Sequence, residues 1–100
     1  MRAYKLFRKR KNGTLGPLFI DQRLVIKPDE WLTAKAVRTK RFAFRPGWHC
    51  CKKPIAPHLS KKNRVWCIVE VEGVVELPRP QSQGGTWLLA KKLKLIEELP

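Results

Sequence analysis

Two residue types able to do chemistry near neutral pH, histidine and cysteine, gather in the middle of this 100-residue chain. They are His49, Cys50, Cys51 and His58, with Trp48 among them and Cys67 shortly after. Residues 35–64 around them hold ten Lys/Arg (Lys35, Arg38, Lys40, Arg41, Arg45, Lys52, Lys53, Lys61, Lys62, Arg64) and no Asp or Glu. The reactive groups therefore sit in a positive field, and the ligand such a field selects is rich in phosphate.

Imidazole and thiolate donors suit a tetrahedral zinc site, which makes His49, Cys51 (or Cys50), His58 and Cys67 a candidate ligand set. Their His-x-Cys-x6-His-x8-Cys spacing lacks the two close pairs of common zinc modules. The competing reading has Cys67 facing the core of its strand as a small apolar residue, with the histidines in hydrogen bonds. No metal or cofactor is assigned. A cysteine nucleophile is the second candidate, since cations beside Cys50 or Cys51 favour the thiolate. Neighbouring side chains on an extended strand point to opposite faces, so His49 cannot serve Cys50, whereas His58 can reach from across the loop. The third candidate is nucleic-acid binding, in which Arg45, Lys52, Lys53, Lys61, Lys62 and Arg64 neutralise phosphates and Trp48 stacks on a base. Arg8-Lys9-Arg10-Lys11 forms a second basic cluster, and Arg8 and Arg10 join the binding set from a hairpin tip. The plain alternative for any one such run is a solvated turn. Trp31, Trp66 and Trp87 are expected in the core. Gln81 to Thr86 is a polar, glycine-bearing loop whose backbone donors could approach a phosphate.

A chain of this length makes one domain, 1–100, with roughly two-thirds of its unfolded surface buried on folding. A 43% hydrophobic fraction with four Trp and four Phe supports a packed core despite a net charge of +14. Charge is unevenly placed: residues 1–64 set 18 Lys/Arg against three acids, and residues 65–100 set four against five. One strongly cationic face follows if the fold separates these halves. No apolar run approaches the roughly 20 residues a membrane-spanning helix needs, and no signal peptide stands at the N-terminus. The expected place is the cytoplasm, with no membrane partner. Three cysteines, two of them adjacent, do not form a disulfide framework and fit a reducing compartment.

The alternation of Ala3 to Arg8 predicts a strand, and Asn12-Gly13 a tight turn leading to a return strand over 15–20, interrupted at Gly16-Pro17. Leu24 to Ile26 reads as a short third strand. Pro28 to Ala36 has acids first and helix formers after, which predicts one short helix. Residues 41–45 read as a strand entering a long loop from Pro46 to Ser60, where three prolines forbid extended regular structure. Arg64 to Glu72 is the clearest strand, with Val65, Cys67, Val69 and Val71 on one face, and Gly73 is expected to break it. Pro78 to Gly85 is a loop, and Leu93 to Glu98 a closing strand. The resulting class is α+β: mostly β, a small twisted sheet with one or two short helices and a long Pro-rich loop.

The run Arg45-Pro46-Gly47-Trp48-His49, then Pro54-Ile55-Ala56 with His58-Leu59, Val65-Trp66 and Glu70-Val71, resembles a domain met in bacteriophage and prophage proteins. The likeness covers less than a third of the chain. A looser likeness takes in Gly47, Trp48, His49, Cys51 and Pro54. The resemblance implies a compact mobile-element module of unsettled role, acting on host defence or host nucleic-acid metabolism in the host cytoplasm. It transfers no catalytic residue. Three readings stay open: a non-enzymatic module for nucleic acid or a nucleic-acid-handling complex; a nucleotide- or nucleic-acid-processing enzyme with His49 and His58 as acid and base; and an inhibitor docking on an acidic host protein.

Overall fold

The computed structural model describes residues 1–18, 24–34 and 47–100. Six strands form one antiparallel sheet: β1 (Arg2–Lys9), β2 (Leu15–Gly16), β3 (Trp31–Thr33), β4 (Trp48–Cys51), β5 (Arg64–Leu77) and β6 (Trp87–Glu98). β1 pairs with β5, β5 with β6 and β6 with β4; β4 returns to β1 at Tyr4 opposite Cys51. These four strands close a ring, and closure removes the open edges that a flat sheet would expose. β2 flanks β1, and β3 flanks β6.

The core lies inside this ring, where Ala3 and Phe7 of β1 meet Cys50 of β4. Cys67, Val69 and Val71 of β5 and Leu88, Ala90, Leu93 and Leu95 of β6 complete it. Alternation explains most of the set, because every second residue of a strand shares a face. Gly73 interrupts that alternation. Inward positions are odd-numbered before it (Cys67, Val69, Val71) and shift to Val74 after it; on β6 they shift from Leu88 and Ala90 to Leu93 and Leu95. Gly73 has φ +65° and pairs across the hairpin with the Lys91 level, where an added Cβ would lie 2.9 Å from Lys91 Cβ. A residue with this freedom lets the long hairpin bend through a corner, so that β1 pairs with the first half of β5 and β4 with the first half of β6.

Several expectations are corrected. Gly73 bends its strand without ending it, and β5 continues to Leu77. The predicted helix over 28–36 is not formed in its described part: Pro28 bridges Leu95, and Trp31–Thr33 is strand β3 opposite Lys92–Lys94. Leu32 there packs on the core between two exposed neighbours, a pattern of period two that outweighs local helix preference. The long loop from Pro46 begins with a strand, since Trp48–Cys51 find sheet partners in β6. The return strand is only Leu15–Gly16 among the described residues, and Leu24 to Ile26 contributes a single bridge, Ile26 to Leu15. Among those residues the only helical element is a 3-10 turn at Gln81–Gln83, so the described fold is mostly β, and the helices of the expected α+β class are not seen in it. The predicted strand at 41–45 lies outside the described residues, as do Lys35 and Ala36.

Candidate nucleic-acid interface

Two basic segments that lie far apart in sequence meet at one end of β1. Arg8 pairs directly with Arg64 across the ladder, and the Lys9 amide donates to the Asn63 carbonyl at 2.8 Å. On one side the Asn12-Gly13 turn is closed by the Arg10 amide on the Thr14 carbonyl, with Asn12 Oδ1 accepting from the Thr14 amide and hydroxyl. On the other, Asn63 takes a left-handed backbone (φ +57°), the Lys62 amide donates to Ser60 Oγ, and Arg64 Nη1 donates to the Ser60 carbonyl at 3.0 Å. Asn tolerates that backbone better than most residues. The result is a groove of about 820 Å³ walled by Arg8–Lys11 and by Lys62–Val65. Among the described residues Glu98 is the single acid lining it, and its carboxylate accepts from Lys9 Nζ at 2.7 Å.

Like charges placed directly opposite on neighbouring strands oppose folding. The Arg8–Arg64 pair is therefore a cost that an anion between them would relieve. Arg8 Nη2 is oriented by donating to the Leu18 carbonyl at 3.1 Å. Lys11 and Lys62 are exposed at the two rims. Arg10 has a different task. Its guanidinium donates to the Leu15 carbonyl at 2.9 Å and the Leu24 carbonyl at 2.8 Å, and it covers Gly16 so closely that an added Cβ would lie 2.3 Å from Nη2. Arg10 thus braces the turn.

The central segment follows another course. Trp48 and Cys50 face the core, and alternation turns His49 and Cys51 to the other side of β4. The Trp48 ring packs on the core with Nε1 buried, which suits a packing role better than an open stacking platform. Lys5, on the inward side of β1 between Ala3 and Phe7, donates from Nζ to the His49 carbonyl at 2.6 Å and lies 5.8 and 6.0 Å from the Phe7 and Trp48 ring centroids. Burial holds its amine below the usual lysine range, against a smaller opposing pull from Cys50 and Cys51. The bond matters because the β1–β4 seam has only one ladder position.

Burial also pushes the Cys50 thiol up, and pushes Cys51 and Cys67 up to about 12. That is the opposite of the condition a thiolate nucleophile requires. His58 is exposed, with its ring 5.6 Å from the Trp87 ring, and neither histidine lines the basic groove. Among the described residues no group of three His, Cys, Asp or Glu side chains could hold a metal ion. Lys52 is engaged by Glu76, and Lys53 is exposed beside it. Both follow Cys51, which faces Tyr4, and the antiparallel run carries them away from Arg8, itself four residues or ~13 Å further along β1.

The nine residues expected to bind nucleic acid thus divide. Arg8, Lys62 and Arg64 line one groove, with Lys61 in the turn that forms its wall; Arg10 lines it as a brace; Trp48, Lys52 and Lys53 belong elsewhere; Arg45 lies outside the described residues. Lys9 and Lys11, named in the second basic cluster but not in the binding set, also line the groove, and Lys5 was missed as an interior residue although alternation with Ala3 and Phe7 signals it. Trp31, expected in the core, is 42% exposed.

Among the described residues no helix is long and apolar enough to cross a membrane. No protein-family model matches the chain, and neither a curated protein nor a solved structure is detectably similar to it.

Proposed function

We propose that this protein is a nucleic-acid-binding module whose contact surface is the groove between the β1–β2 turn and the start of β5. One observation carries the reading: Arg8 and Arg64 stand opposed across the ladder, with Lys9, Lys11 and Lys62 around them and Glu98 as the sole lining acid among the described residues. Such a site favours a polyanion. The resemblance of the central segment to phage-type domains supports a role for the module in host takeover or in countering host defence.

Titration of labelled DNA and RNA at several salt concentrations tests the reading. About four phosphate contacts, from Arg8, Lys11, Lys62 and Arg64, should cost about 50- to 150-fold in affinity as salt rises from about 50 to 200 mM. The double variant Lys11→Glu, Lys62→Glu should bind at least tenfold more weakly and lower the salt slope by about two. No binding near 50 mM salt, or a double variant that binds as the parent does, defeats the proposal. Capture of host partners with and without nuclease separates it from docking on an acidic protein.

A further inference from the structure

The basic groove does not stop at Glu98. A second trough of about 350 Å³ shares Glu98 with it and runs along β6 to Leu95, between that strand and residues 25–28. Its walls are largely apolar, from Leu15, Val25, Ile26, Pro28, Leu95 and Ile96, with Lys27, Glu97 and Glu98 also lining it. Next to Leu95 is Lys94, whose Nζ sits 4.9 Å from the Trp31 ring centroid, and Trp31 pairs with Lys94 across the β3–β6 ladder. From Glu98 to Lys94 is four residues, or ~13 Å of strand. A phosphate-selecting groove, an apolar trough and an exposed indole thus follow one another along β6.

Trp31 is the one aromatic residue among the large exposed hydrophobics of the described chain; the others are Met1, Val25, Ile55 and Val75. A single exposed apolar side chain needs no explanation by itself. Trp31 differs in its surroundings. Lys94 covers one face and fixes the ring, and Lys92 stands in the neighbouring register opposite Thr33. Arg2 lies in the same cross-strand row, with Glu70 between it and Lys94. Glu70 is occupied by Arg2 at 3.9 Å and by the N-terminal ammonium at 2.7 Å, and Glu72 lies opposite Lys92.

Resting on the groove reading above, we infer that Trp31 is a stacking platform for one unpaired nucleobase, so that the ligand is a single-stranded nucleic acid running from the basic groove along β6 to the indole. Bases within a duplex are stacked on one another and cannot offer a face to Trp31, whereas a single strand presents each base to an aromatic ring and its phosphates to nearby cations. The apolar trough would receive the intervening sugar and base surfaces.

The test compares a single-stranded oligonucleotide of about a dozen nucleotides with the duplex of the same sequence. Trp31→Ala should bind the single strand roughly five- to hundredfold more weakly and the duplex as before. Trp31→Phe, which keeps a ring, should retain most of the affinity, and the tryptophan fluorescence quenched by the single strand in the parent should be lost in this variant. A Trp31→Ala protein with parental circular dichroism and unchanged single-strand affinity overturns the platform while leaving the groove intact. Equal weakening toward duplex and single strand overturns it as well. A parent protein that binds neither form refutes the groove reading itself, and the platform with it.

Discussion

The groove at the end of β1 and the β4 segment are built from similar stretches of sequence, each with clustered lysines and arginines, yet they put their charges to different uses. At the groove two turns face each other and direct like-charged side chains into a shared space, with Glu98 the one described acid against them. In β4 the chain enters the ring: Trp48 and Cys50 join the core, and Lys52 is engaged by Glu76 from β5. Charge density along a chain becomes a surface field only where the fold brings the cations together in one shared space. The comparison also separates two fates of a tryptophan. Trp48 has its indole nitrogen buried, and Trp31 stands out on an edge strand.

Alkaline titration should give the largest effect and bears on the β4 side. Unfolded thiols lose their protons above about pH 9, while Cys51 and Cys67 hold theirs to about 12. The folded state then binds more protons, and stability falls as pH rises through that window, at up to about 1.4 kcal/mol per pH unit for each thiol. Lys5 acts in the other direction. Its amine deprotonates in the fold below the ordinary 10.5, so between its lowered value and 10.5 the unfolded chain binds more protons and stability rises with pH. Urea midpoints at about pH 8 and about pH 11 should show a net fall of several kcal/mol, steeper in Lys5→Met and shallower in Cys67→Ala. A flat profile would show that these thiols are not enclosed.

Trp48→Ala should follow, at about 3 kcal/mol of lost stability in urea denaturation, against no more than about 0.5 kcal/mol for Trp31→Ala. Equal losses would erase the distinction drawn between the two indoles. Next come two neighbours in the turn. Arg10→Met should cost about 2 kcal/mol by removing the guanidinium from the Leu24 carbonyl and leaving the Leu15 carbonyl with the Ile26 amide alone, whereas Lys11→Met should leave stability within about 0.5 kcal/mol. In nucleic-acid titrations Lys11→Met should lower the salt slope by about one. The smallest effect is expected at Lys52→Gln, which removes an exposed ion pair and should change stability by less than about 1 kcal/mol and affinity not measurably.

Much of the sheet was legible because strands advertise themselves locally. The alternation of β1, the Asn12-Gly13 turn and the inward face of β5 follow from period two and turn chemistry. The misjudged places have a common cause. Pro28 to Thr33 carries helix-start signals that lose to pairing with β6, and Gly73 reads as a stop until Lys91 is seen across the hairpin. Trp31 and Trp48 have the same side chain, and only their neighbours distinguish a covered ring from an exposed one. At the candidate site both basic runs were visible as runs, but their meeting was not, since it depends on a ladder that sets Arg8 against Arg64.

The amino-acid order by itself determined a strongly cationic, mostly β domain with a small core, because composition and period-two patterning act over a few neighbouring residues. Which cations share a groove, which indole is open and which lysine is enclosed were decided only by ring closure. Pairings such as Tyr4 with Cys51 and Arg8 with Arg64 join residues more than forty positions apart. No local pattern encodes the register at which such strands meet; that register is selected by burying one shared core.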